Sequence, residues 1–213
     1  MEIKNLHNNN FFGAKFISKS QISKQIPFTP FYKKVNVDFV ELKSSQDIES
    51  LKAFINQDKQ SFFGSNFLDS IENNNYQKTY KIFALTFQTE NLKNLTPEKI
   101  IGLCDGFYSW TPKEGKTFFI KHFETKSKNN KYREIEPNTI SLLGLNIKIP
   151  IKQKGLGKTI LREFLKHNYK KINSIQLQSS PFACSFYRKI GFINDNVDPE
   201  YFRLSKENFS KLI

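Results

Sequence analysis

Residues 149–167 read IPIKQKGLGKTILREFLKH, and the chemistry they suggest is anion binding. Gly155 and Gly157 flank one leucine, with Lys152, Lys154 and Lys158 around them. A strand ends here and a helical pattern begins. The first amides of a helix have no internal partner and carry partial positive charge. Glycines remove the Cβ atoms that would keep a phosphate from the backbone, and the lysines add formal charge. The plainer reading is that the glycines only permit a tight turn. A Walker loop is excluded, because Gly157-Lys158-Thr159 has Lys152 where the motif needs its first glycine. A dinucleotide fingerprint is excluded as well, because Ile160 stands where the third glycine belongs.

A second group of reactive side chains lies downstream. Residues 180–192 read SPFACSFYRKIGF and form a complete short helix in sequence. Ser180 is its N-cap, Pro181 opens its first turn and Gly191 stops it. Tyr187 is the one phenol within it. Carboxylates and imidazoles near the middle of the chain are Asp105, Glu124 and His122. Cys104 and Cys184 have no metal-ligand spacing and read as two buried free thiols in a reducing compartment.

These residues need a scaffold, and the hydrophobic periodicity supplies one. Alternation predicts strands over 35–42, 79–87, 99–110 and 139–149, with an additional strand over 116–125. Gly144 inside the 139–149 strand hints at a bulge or a close approach. A helix with Ile48, Leu51, Phe54 and Ile55 on one face follows a cap at Ser45 or Asp47, and a short helix is expected around Gly64. After Gly157, the residues Ile160, Leu161, Phe164 and Leu165 make an amphipathic helix. Lys166, Lys170 and Lys171 sit near its end, where the helix dipole favours cations. A strand over 174–180, the short helix and a terminal pair around FIND and YFRLS close the chain. Residues 1–34 have weak periodicity and read as an extension or lead-in with room for a short helix; residues 35–213 are the expected domain. The fold class is α/β, or α+β in layers, around a mixed sheet.

Composition limits what such a protein does. The chain has 213 residues, 38% hydrophobic and 25% charged, which fits one globular domain with an extension. It contains no run of 18 apolar residues, and MEIKNLHNNN lacks the apolar core of a secretory signal, so a cytoplasmic protein without a membrane is expected. A net charge of +13 suits an anionic cofactor, nucleic acid or anionic lipid, or simply a lysine-rich solvated surface. No dense basic arm is present.

The two motifs together resemble the GNAT acetyltransferase superfamily. Its glycine turn follows Q/R-x-x-G-x-G/A, which here is Lys152-Gln153-Lys154-Gly155-Leu156-Gly157, with lysine in the first place. Its next strand–helix unit carries N-x-x-A-x-x-F/L-Y-x-K-x-G-F, matched by Ser180 through Phe192 with Ser180 in place of asparagine. The resemblance covers about residues 35–205, most firmly 139–192. It implies the GNAT fold, with a mostly antiparallel sheet whose strands splay to hold acetyl-CoA as an added strand. Leu145, Ile147 and Ile149 would offer backbone groups to the pantetheine arm, with Ser180 and Phe186 beside it. The amides of Gln153, Lys154, Gly155, Leu156, Gly157 and Lys158, together with Lys152, would hold the pyrophosphate.

The implied reaction moves the acetyl group directly to an amine in a ternary complex. The resemblance assigns Tyr187 as the acid facing the CoA sulfur, and a backbone N–H near Ile147 to the oxyanion. Asp105 is the best-placed base, with Glu124, His122 or a water chain as alternatives. The acceptor is a small molecule, a protein amine or an aminoacyl-tRNA; the charge leaves a polyanionic partner open, and the N-terminal segment leaves a homodimer arm open. A different class of function stays in play: a non-catalytic module on the same scaffold that senses acyl-CoA or binds nucleic acid.

Overall fold

The computed structural model of the chain describes residues 14–25, 32–42, 51–52, 80–88, 95, 99–109, 138–147, 155–194 and 198–213. They build one eight-stranded sheet: β1 (Ala14–Gln25), β2 (Tyr32–Leu42), β3 (Tyr80–Phe87), β4 (Ile100–Ser109), β5 (Thr139–Ile147), β6 (Ser174–Gln178), β7 (Ile193–Asn194) and β8 (Tyr201–Ser205). The spatial order is β1-β2-β3-β4-β5-β6-β8-β7. Every pairing is antiparallel except β5 with β6. A parallel pair needs a crossover, and helix α1 (Leu156–Asn168) supplies it. A turn of 3-10 helix (Pro181–Ala183) leads into helix α2 (Cys184–Lys189), and a second 3-10 segment (Lys206–Lys211) ends the chain.

The alternation of β2 assigns its two faces. Val37 and Phe39 face the core under α1, while Asp38, Val40 and Leu42 face the other side, and all five are buried. β3 repeats the arrangement and is buried along nearly its whole length. Helix α1 packs its 3.6-residue stripe of Leu156, Ile160, Leu161, Phe164 and Leu165 onto this floor. Phe83 is the hub: its ring stacks on Phe39 at 5.6 Å and meets Phe164 edge-on at 5.2 Å. Each such pair contributes roughly 0.5–1.5 kcal/mol beyond simple burial.

Several expectations change. Residues 14–25, expected to belong to an extension with room for a short helix, form β1 instead. This strand runs antiparallel to β2 from Ala14 opposite Leu42 to Gln25 opposite Tyr32. β2 begins at Tyr32, so the expected boundary at residue 34 falls inside a strand. The segment shows no clean alternation in sequence, because it is an edge strand whose register shifts between Phe16 and Ser18. Polar ties then fix β1 to α1: the Ser18 hydroxyl donates to Glu163 Oε2 at 2.8 Å, and Arg162 Nη2 donates to Ser20 Oγ at 3.0 Å. The terminal pair is β7 with β8. Leu51 and Lys52 are helical as expected; the rest of that helix, the helix around Gly64 and the strand over 116–125 lie outside the described residues.

Candidate functional site

β5 is paired on both sides only along its first half. Thr139 to Leu142 pair in parallel with Ser174 to Leu177 of β6. From Gly144 to Ile147, β5 follows β4 alone, opposite Asp105 to Gly102. The two parallel strands therefore part at residue 143. The cause is a bulge: Asp105 pairs with Gly144 and Gly106 with Leu142, which leaves Leu143 as the extra residue. Among the described residues, the β6-facing edge of 143–147 meets no strand. Such an edge carries backbone donors and acceptors ready for an extended ligand.

The glycine turn lies at the end of this gap. Gly155 is the N-cap of α1 with φ 103°, a left-handed conformation that a side chain resists. The Thr159 amide makes the first helical bond, to the Gly155 carbonyl at 2.8 Å. The amides just before it have no intrahelical partner, and no acidic residue stands in the first turn to neutralise them. Lys158 is exposed beside them. A Cβ on Gly157 would stand 3.1 Å from Phe186 Cζ and 3.7 Å from Leu145 Cδ2. Three elements thus converge on one glycine: β5 through Leu145, α1 through Gly157 and α2 through Phe186. A Cβ on Gly155 would meet no described residue within 4 Å.

Helix α2 holds Tyr187 rigidly. Its ring is edge-on to Phe186 at 5.1 Å and to Phe192 at 5.5 Å, and lies 5.8 Å from Phe202. Only 7% of the residue is exposed. Burial pushes its phenol well above the ordinary tyrosine range, with Cys104 and Cys184 adding to the effect. No described residue hydrogen-bonds its hydroxyl. Gly191, at φ 101°, ends the α2 segment as the sequence predicts. Ser180 is extended and precedes the 3-10 turn, but its side chain makes no capping bond. Its carbonyl accepts instead, from the Ala183 amide at 2.9 Å and the Ser179 hydroxyl at 2.8 Å. Pro181 fixes this entry without a side-chain cap.

Asp105 is wholly buried and accepts a hydrogen bond from the Tyr80 hydroxyl at 2.9 Å. Neighbouring residues of a strand point to opposite faces. Cys104 shares the core cluster with Tyr187, so Asp105 faces the other side of the sheet. The structure therefore brings together Leu145, Gly155, Leu156, Gly157, Phe186 and Tyr187, with Ile147 two residues along β5. It sets Asp105 across the sheet from Tyr187. Ile149, Lys152, Gln153, Lys154, His122 and Glu124 lie outside the described residues. Tyr80 is the residue sequence reasoning missed. Only the strand register joins it to Asp105, through the pairing of Tyr80 with Phe107 and of Ile82 with Asp105.

Residues 115–203 match the family model described as the acetyltransferase (GNAT) domain. No curated protein matches the sequence. Among solved structures, an uncharacterized protein from Bacillus halodurans superposes with a TM-score of 0.52 at 8% identity, over 93% of this chain and 95% of that one. A mutant AtaT toxin bound to the C-terminus of the antitoxin AtaR and acetyl-CoA gives 0.50 at 14% identity, over 83% and 97%. The ribosomal-protein-S18-alanine N-acetyltransferase of Escherichia coli gives 0.46 at 14% identity, over 79% and 93%. The first two of these likenesses show a shared fold. Both sequence motifs, 152–157 and 180–192, lie inside the matched residues.

Proposed function

We propose that the protein transfers the acetyl group of acetyl-CoA directly to an amine in a ternary complex. The observation that carries this reading is the convergence of Leu145, Gly157 and Phe186 at the mouth of the gap between β5 and β6. The residues present fit the donor. The left-handed turn at Gly155 suits a diphosphate, and the free edge of 143–147 suits the amides of a pantetheine arm. Acetyl-CoA supplies the activated acyl group and the thiolate leaving group.

The chain's own residues divide the work. Gly155, Leu156, Gly157 and Lys158 offer amides and charge to the diphosphate, with Lys152, Gln153 and Lys154 preceding them. Leu145, Ile147 and Ile149 offer backbone groups to the arm, and Ser180 and Phe186 line its other side. An N–H near Ile147 would stabilise the charge that develops on the acyl oxygen. Tyr187 donates a hydrogen bond to the departing sulfur. Its raised pKa makes it a proton holder, so it stabilises a thiolate by donation more than by full transfer. Asp105, held by Tyr80, serves as base from the opposite face, through water where its own oxygens do not reach the amine. The acceptor is an amine: a small molecule, a protein amine or an aminoacyl-tRNA.

Thiol release from acetyl-CoA, measured across a panel of these three acceptor types, tests the reading. Turnover with at least one acceptor is expected, falling roughly 10²–10⁴-fold in Tyr187→Phe while acetyl-CoA still binds. Binding without thiol release across the panel would mean a sensing module. Salt-sensitive RNA or DNA binding without acetyl-CoA binding would replace the reading with a nucleic-acid module.

A further inference from the structure

Phe182 is 96% exposed, far more than any other large apolar side chain among the described residues. It stands on the 3-10 turn Pro181–Ala183 that leads into α2. The other exposed apolar residues lie elsewhere or have company: Phe16 is on β1 at the far edge of the sheet, and Tyr169 packs against Phe209 with Lys206 over its ring. Phe182 makes no ring contact with a described residue. Its position relative to the candidate donor site is specific. Phe186, four residues later, touches the glycine turn at Gly157. Phe182 stands on the 3-10 turn that leads directly into α2, four residues and so about one turn before Phe186.

We propose that Phe182 is the stacking platform for the adenine ring of acetyl-CoA. This rests on the reading of residues 155–158 as the diphosphate site. A purine joined to that diphosphate through a single ribose stays close to the turn, and Phe182, about one turn from the Phe186 that touches Gly157, offers it an open ring. A phenyl face binds a base by stacking and desolvation. It has no polar edge, so Phe182 reads the flatness of the base and not its hydrogen-bonding pattern. The platform also gives a role to a phenyl that is almost wholly open to water.

Calorimetry on the full chain tests this with two probes, acetyl-CoA and acetyl-4′-phosphopantetheine, which lacks the adenosine. Phe182→Ala is expected to raise the Kd for acetyl-CoA about tenfold and to leave the Kd for the truncated donor unchanged. Phe182→Trp, which keeps a flat ring, is expected to retain acetyl-CoA affinity. An unchanged acetyl-CoA Kd in Phe182→Ala would overturn the inference, as would an equal loss for both probes. A changed sedimentation coefficient with unchanged affinity would assign Phe182 to a contact between copies and overturn it too. If the wild-type chain binds both probes equally well, only the adenine platform falls. If it binds neither, the donor-site reading falls with it.

Discussion

At the scale of single residues, Gly157 and Tyr187 carry the most. A methyl on Gly157 would press on Phe186 at 3.1 Å, closer than side chains usually pack. Gly157→Val is therefore expected to weaken acetyl-CoA binding at least tenfold by turning Phe186 into the gap, at a stability cost of roughly 1–3 kcal/mol; calorimetry and urea denaturation read the two effects separately. Tyr187 gives a prediction about pH. As the proposed acid it works only while protonated, and burial raises this phenol above its usual pKa of about 10. Turnover should then show no alkaline loss due to Tyr187 between pH 7 and about 10. A kcat–pH profile with an alkaline limb below that range, absent in Tyr187→Phe, would contradict the assignment. Much of this scale was legible beforehand. The glycine spacing and FYRKIGF located the turn and the tyrosine because both motifs are short and local. The partner of Asp105 was not legible: Tyr80 lies 25 residues away and meets it only through strand register.

At the scale of elements, the decisive feature is the parting of β5 from β6 at Leu143. Gly144 hinted at it in the sequence, and the bulge falls one residue before that glycine. β1 was the element that periodicity did not reveal. An edge strand exposes one face and one backbone edge, so its side chains need not alternate cleanly. What holds β1 in place is long-range: Ile22 in the core and hydrogen bonds to Glu163 and Arg162 of α1. Ser18→Ala removes a bond to a carboxylate that is only 4% exposed. It should lower stability by about 1.5–3 kcal/mol, the usual loss for a bond to a charged group, measured by urea denaturation. Deleting residues 1–25 should cost more than that single bond and loosen α1. A truncated chain as stable as the full one would return β1 to the status of an appendage.

At the scale of the whole molecule, the buried titratable groups set a pH limit on stability. Burial raises Cys104 well above the ordinary thiol range, and it raises Tyr108 and Tyr187 as well. The folded state keeps these protons after the unfolded chain has released them. Stability is thus complete below the unfolded pKa values and declines above them, first above about pH 8.5 for the thiol and then above about 10 for the phenols. The melting temperature should fall steadily through that window, and a flat profile from pH 8 to 11 would contradict the burial of these groups. The glycine turn and the splayed strand are proposed to bind acetyl-CoA. A thermal shift with millimolar acetyl-CoA tests this most directly. A ligand at a hundredfold excess over its Kd stabilises the native state by about 2.7 kcal/mol, so a clear rise in melting temperature is expected for the wild type and a rise of no more than about half that for Gly157→Val. No shift of the wild type at that concentration would contradict it.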